Sequence, residues 1–260
     1  MVRLKGSRVI RFEREGPVGI VTLARPEARN AINREFEQQL YDALEMIDAD
    51  PALSVGVIAA EGPIFSAGAD LKEVNSKGNP RGDDAPKRES IVSRTHAKPL
   101  IAAVDGPAYG GGMELVLACD MIVASRNAKF ALSEVRWGLL PSGGGMFRLP
   151  RRLPSQVALQ MLLTGRTISA ERSYELGLVN ELAEPGAALA GALDIANAIA
   201  ANGPLAVRLT MEMVRDSAFL DETSAWSLSR KLVARNFESE DAKEGPRAFA
   251  EKRAPQWTGK

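Results

Sequence analysis

Residues 8–12 and 18–23 are two short runs rich in Val, Ile and Phe, joined by Glu15-Gly16-Pro17, and they predict two strands linked by a tight turn. Pro26 to Asn30 then breaks the pattern as a loop. From 33 to 48 the apolar positions Phe36, Leu40, Leu44 and Ile47 recur three or four apart, which predicts an amphipathic helix with Asn33 as its cap. Residues 55–60 and 100–104 are short and apolar throughout, the mark of strands buried on both faces. Between them the pattern predicts a helix start near Asp70, a polar loop over 75–87 that is either a plain connector or a lid, and a helix ending near Lys98. The run Gly106 to Gly112 leads into a helix expected from Met113, and 121–124 and 129–131 predict further short strands. Beyond about residue 186 the repeat is helical only, over 187–202, 204–218, 221–236 and 240–252. The expectation is an α/β part over 1–186 followed by a helical part over 187–260.

Composition narrows the chemistry more than the fold. Apolar residues make up 45% and charged residues 25% of the 260 positions, the balance of a soluble globular protein. Thirty-three basic residues face thirty-three acidic ones, so no global field draws in nucleic acid or an anionic membrane. The longest apolar runs fall far short of the roughly 20 residues that span a bilayer. Residues 1–15 carry acids and lack an apolar segment of signal-peptide length, so the expected setting is cytoplasmic. Cys119 is the single cysteine and His96 the single histidine, which excludes a disulfide framework and argues against a zinc site. The chemistry is left to carboxylates, hydroxyls and backbone.

Three glycine-containing turns attract attention, each expected to follow a short apolar strand: Phe65-Ser-Ala-Gly-Ala-Asp70, Gly110-Gly-Gly-Met-Glu114 and Pro141-Ser-Gly-Gly-Gly145. Glycine before a helix lets backbone approach a ligand, and the helix start offers unpaired N–H groups. Two such groups aimed at one point make an oxyanion hole for a thioester carbonyl. Each turn alone is equally explained by tight packing. Glu114 lies in the apolar stretch Met-Glu-Leu-Val-Leu, where desolvation would raise its pKa toward a range useful for proton transfer. It could equally compensate its own helix dipole. Glu134, in Leu-Ser-Glu-Val-Arg-Trp, could equally pair with Arg136. No dinucleotide-binding, nucleophile-elbow or P-loop glycine motif is present.

Taken in order, several stretches resemble the crotonase (enoyl-CoA hydratase/isomerase) superfamily across essentially the whole chain. They are Leu23-Ala-Arg-Pro-Glu-Ala-Arg-Asn-Ala-Ile32, Phe65-Ser-Ala-Gly-Ala-Asp-Leu-Lys72, the segment from Lys98 to Leu115, and Ala131-Leu-Ser-Glu-Val-Arg-Trp-Gly-Leu-Leu-Pro141, followed by Leu163-Thr-Gly-Arg166, Gly177-Leu-Val-Asn180 and the tail from Glu244 to Lys252. The resemblance implies a spiral of ββα repeats with a C-terminal helical trimerisation region, assembled as a homotrimer or a dimer of trimers. It implies lyase chemistry of fatty-acid and related lipid metabolism on an acyl-CoA thioester, coenzyme A being part of the substrate and no other cofactor or metal being used. The oxyanion donors would be the N–H groups of Ala69 and Gly111. Glu114 would activate water and Glu134 would deliver a proton, and because many relatives that are not hydratases keep one glutamate or neither, the pair favours hydration. Ala67, Gly68, Asp70, Leu71 and Lys72 would line the CoA path, with Arg25 or Arg29 meeting a CoA phosphate, and Tyr109 and Gly110 near the substrate. The same scaffold also hosts isomerases and carnitinyl-CoA dehydratases, and a non-enzymatic RNA-binding role would need a basic stripe that is lacking.

The remaining side chains have plainer expectations. Met146 and Phe147 stand where many relatives carry Thr-Gln, near the acyl end. Trp137 lines the acyl pocket or is an ordinary core aromatic, and Trp226 is packing or a subunit contact. His96 is expected at a helix end, Cys119 as a buried inert thiol, and Arg148, Arg151 and Arg152 on a solvated face or a subunit contact.

Overall fold

The computed structural model describes residues 9–73 and 91–260. Arg8, most of the helix expected after Asp70 and the loop expected over 75–87 lie outside them. Strand β1 (Ile10–Glu15) turns at Gly16-Pro17 into β2 (Val18–Leu23), and the two pair antiparallel. β3 (Val55–Ala60), β4 (Leu100–Val104), β6 (Met121–Ser125) and β9 (Glu181–Ala183) then add in parallel, giving a six-stranded sheet in the order β1-β2-β3-β4-β6-β9. The runs without polar positions are its centre, because parallel strands joined by crossovers are covered on both faces.

Helix α1 (Arg34–Ala49) starts where its cap demands, with Asn33 accepting from the Phe36 N–H at 2.9 Å. Its stripe of Phe36, Leu40, Ala43, Leu44 and Ile47 is buried against one face of the sheet. Helix α6 (Ala188–Ala200) covers the other face. Its Ala188, Ala192 and Ala196, one turn apart, pack on Val18, Ile20, Val55, Val57, Ile101 and Val123. The first of the four C-terminal helices is therefore layered on the strands, while α7 (Pro204–Ser217), α8 (Glu222–Phe237) and α9 (Glu240–Glu251) follow it outside the sheet. Among the described residues no helix is long and apolar enough to cross a membrane.

A smaller sheet of β5 (Ala108–Tyr109), β7 (Lys129–Ala131) and β8 (Ile168–Ser169) holds two strands too short for any sequence pattern to mark. Helix α2 (Gly111–Ala118) begins two residues before the expected Met113. The expected helix ending near Lys98 is corrected. Residues 91–93 form a turn and 94–98 are not helical. Side chains tie this segment to the end of α1 instead: Arg94 and the Ala97 N–H bind Asp48, and Lys98 Nζ donates to the carbonyls of Ile47 and Asp50 at 2.6 Å each. His96 is thus no helix-end residue but a buried one, 5% exposed, whose Nε2 has no partner among the described residues. Burial pushes its pKa down to about 4.

Candidate active site

β5 and β7 run parallel, so the residues leaving their C-terminal ends emerge side by side. From β5 come Gly110 and α2, carrying Glu114. From β7 come Ser133 and the 3₁₀ turn Glu134–Trp137. The Gly110 N–H donates to Ala131 O at 2.9 Å and extends this ladder. On its other side β5 is joined by the segment around Ser66 through the Ser66–Ala108 bridge, with the Tyr109 N–H on Ser66 O at 2.9 Å. Three stretches far apart in sequence thus lie in parallel, and the candidates sit where they end.

The two expected oxyanion donors are brought together. In the bridge between Ile32 and Ala69, Gly68 O accepts from the Ile32 N–H and the Asp70 N–H donates to Ile32 O. That leaves the Ala69 N–H pointing away from Ile32. Gly111 is the first residue of α2, so its N–H has no acceptor within the helix. The glycine before each donor holds a positive φ, 90° at Gly68 and 54° at Gly110, which L side chains rarely adopt. A Cβ on Gly68 would stand 3.0 Å from Gly111 N, and one on Gly111 would stand 3.6 Å from Ala69 N. Glycine is what allows this approach.

Glu114 is 4% exposed, and its Oε1 accepts from the N–H groups of Gly143 at 2.6 Å and Gly145 at 3.0 Å. The helix it caps is not its own but α3 (Gly145–Arg152). Glu134 has the opposite environment. Its Oε2 is buried with no partner among the described residues. Burial pushes its pKa up to about 7; a hydrogen bond from its own backbone N–H opposes the rise, and the charge of Glu114 adds to it. The salt bridge with Arg136 is not made, since Arg136 Nε donates to Thr164 O at 3.2 Å. A Cβ on Gly110 would lie 3.3 Å from Glu134 Oε1, so this carboxyl lies against the same turn that supplies a donor.

The other expected residues divide. Arg25 points to Asp70 at 2.9 Å and to Ala31 O at 3.0 Å, bracing the turn that follows Ala69. Arg29, Ala67, Leu71 and Lys72 form an exposed edge leading away from Ala69, and Tyr109 is half-buried. Trp137 is 72% exposed, which corrects the core-aromatic expectation: the αL glycine Gly138 ends its turn and leaves the ring outside. Met146 and Phe147 are exposed at the start of α3. Arg148 and Arg152 are not on a solvated face but half-buried, donating to Gly143 O and Cys119 O. Cys119 is buried, and burial raises its thiol above the ordinary value. The third glycine turn follows the 3₁₀ turn rather than a strand. Asn30 and Ser66 escaped notice. Buried Asn30, at φ 51°, donates to Glu61 O and Ile64 O and accepts from the Arg25 N–H and, through its carbonyl, from Ser66 Oγ. A polar Asn inside a loop motif that tolerates αL was the available signal.

The profile of the enoyl-CoA hydratase/isomerase family matches residues 13–260. The enoyl-CoA hydratase EchA19 of Mycobacterium tuberculosis is 42% identical over 253 residues, covering 94% of each chain. The carnitinyl-CoA dehydratase of Salmonella typhi is 38% identical over 261 residues, covering 98% of this chain and all of its own. Among solved structures, an enoyl-CoA hydratase from Mycobacterium tuberculosis superposes with a TM-score of 0.93 at 42% identity, over 98% of this chain and 100% of that one.

Proposed function

The chain belongs to the enoyl-CoA hydratase/isomerase family, and from that premise we propose that it adds water across the double bond of a 2-enoyl-CoA, or removes it from the 3-hydroxyacyl-CoA. The thioester oxygen is received by the N–H groups of Ala69 and Gly111. Glu114 takes a proton from water as its oxygen bonds to C3, the double-bond electrons move toward the thioester oxygen, and Glu134 protonates C2 as they return. One observation carries the reading: two carboxyls near enough to feel each other's charge stand in contrasting surroundings, Glu114 under two N–H donors of the Gly143–Gly145 turn and Glu134 against Gly110, with a buried oxygen that has no partner among the described residues and a pKa near 7. A carboxyl that still holds part of its proton at neutral pH then stands near one that accepts two N–H groups. Coenzyme A enters as part of the substrate, and no further cofactor is used.

The test is hydration of crotonyl-CoA by the full chain, followed by loss of the enoyl-thioester absorbance and by entry of labelled water oxygen. Glu114→Gln and Glu134→Gln each lower kcat by roughly 10²–10⁴-fold. An inert substitution at either position rejects the paired mechanism. Isomerisation of a 3-enoyl-CoA without label entry selects the isomerase reading instead.

Of the hydratase and carnitinyl-CoA dehydratase readings, the hydratase one is favoured by similarity, at 42% identity to the enoyl-CoA hydratase against 38% to the carnitinyl-CoA dehydratase. Assembly as a homotrimer, alone or paired, is supported by exposed Val214, Phe219, Trp226, Val233, Phe237 and Phe249 on or beside α7 to α9.

A further inference from the structure

α3 starts at the glycine turn that holds Glu114, and its fourth residue is the half-buried Arg148. Arg148 Nη1 donates to Gly143 O at 3.2 Å, while the Gly143 N–H donates to Glu114 Oε1 at 2.6 Å. A single residue thus links the guanidinium to the carboxylate. The guanidinium also presses on the turn: a Cβ on Gly144 would stand 2.8 Å from Nη1. Its charge acts directly on Glu114. From the other packed elements, the 134–137 turn brings Glu134, whose charge opposes ionisation of Glu114, and Val92, near Gly143, brings none. Behind Arg148 stand Arg151 and Arg152 on its own helix and Cys119 at the end of α2, with Asp120 next to that cysteine. Among these groups Arg148 is the cation tied to the turn that carries the hydrogen bonds of Glu114.

We infer that Arg148 is a positioning residue of this site: it locks the Gly143–Gly145 turn onto the Glu114 carboxylate and sets a positive charge in that carboxylate's field. The inference rests on the roles assigned above to the two glutamates. It concerns a side chain that reaches the reaction only through Gly143 and the field it exerts, so its loss disturbs turnover more than binding.

The experiment measures kcat and KM for crotonyl-CoA against pH in the wild type, Arg148→Gln and Arg148→Lys. Arg148→Gln lowers kcat by roughly 10–100-fold with KM within about threefold, and moves the acidic limb of the kcat profile upward by about half to one pH unit. Arg148→Lys, which keeps the charge without the planar fork, leaves that limb at its wild-type position and recovers part of kcat. An unchanged kcat and limb in Arg148→Gln, or a rise in KM alone, overturns the inference. Should Arg148→Gln fail to fold, Arg148→Lys decides: a limb displaced upward in the folded lysine variant overturns the inference, and a limb in place with lowered kcat upholds it. Failure of the wild type to hydrate crotonyl-CoA rejects the proposed function instead, which keeps the two failures distinguishable.

Discussion

Glu134 buries an oxygen that has no partner among the described residues, whereas Glu114 buries its carboxylate under two N–H groups and in the field of Arg148. Burial is the leading influence on the Glu134 carboxyl, and its effect has a thermodynamic signature. The folded-state pKa of Glu134 lies near 7 against an ordinary 4.5, so the folded protein binds a proton more tightly than the unfolded chain. Stability linked to this group is fully present below pH 4.5 and is lost as pH rises through about 7. Glu134→Gln, which keeps the shape and removes the charge, is thus expected to raise stability by about 2 kcal/mol at pH 8, after allowance for partial exposure. The gain should vanish below pH 4.5. Urea midpoints of the two proteins at both pH values check this, and equal midpoints at the higher pH would contradict the buried, raised carboxyl. The same substitution that stabilises the chain removes the proton donor, the usual exchange of stability for function at a working site.

At the scale of elements, the site is built by starts of helices and ends of very short strands, and these differ in legibility. Residues 55–60 and 100–104 were readable because a strand buried on both faces shows no polar position, and α1 because its stripe and cap agree. β5 and β8, at two residues each, have no period to read, yet β5 and its partner β7 are what set Glu114 beside Glu134. The segment 94–98 misleads for a related reason, since its order comes from Asp48 and the end of α1 rather than from local repeat. The glycine turns were visible as glycine, and the resemblance to a family supplied their roles. What no local pattern offered was the pairing of the third turn with Glu114. Gly143→Ala tests that pairing, because its Cβ would stand 2.5 Å from Glu114 Oε2. Something must shift, and the carboxylate is the nearer group. The expected result is a fall in kcat of about 10²-fold with a small change in Tm, the misplacement of a working group by about an ångström being enough. A wild-type kcat in a folded Gly143→Ala protein would show that the turn yields without carrying Glu114 with it.

For the whole molecule, the chain end returns to the helices it has just left. Asp241, 6% exposed near the start of α9, accepts from the Thr258 N–H at 2.7 Å, Thr258 Oγ1 at 3.0 Å and the Gly259 N–H at 2.9 Å. Glu244, one turn on, collects Arg247, Arg253 and the Gln256 N–H. Trp257 donates from Nε1 to Ala201 O at 2.8 Å, at the end of α6, and its ring lies against Gly203 and Gly245. The tail thus joins α9 to the α6–α7 corner, and α6 is the helix that covers the large sheet. These contacts lie on elements that supply none of the candidate catalytic residues, so they should govern stability and the presentation of the exposed C-terminal helices while leaving turnover intact. Asp241→Ala strips three donors of one acceptor, a loss of about 1–3 kcal/mol, which lowers Tm by roughly 5 °C at this chain length. In the folded fraction kcat for crotonyl-CoA should stay within about twofold of wild type, because the two glutamates and the two glycine turns stand on β5, β7, α2 and α3. A calorimetric scan paired with steady-state rates separates the outcomes. A large fall in kcat at unchanged Tm would mean that the tail reaches the site through the helical end of the molecule, and an unchanged Tm with unchanged kcat would mean that Asp241 holds nothing that matters to folding.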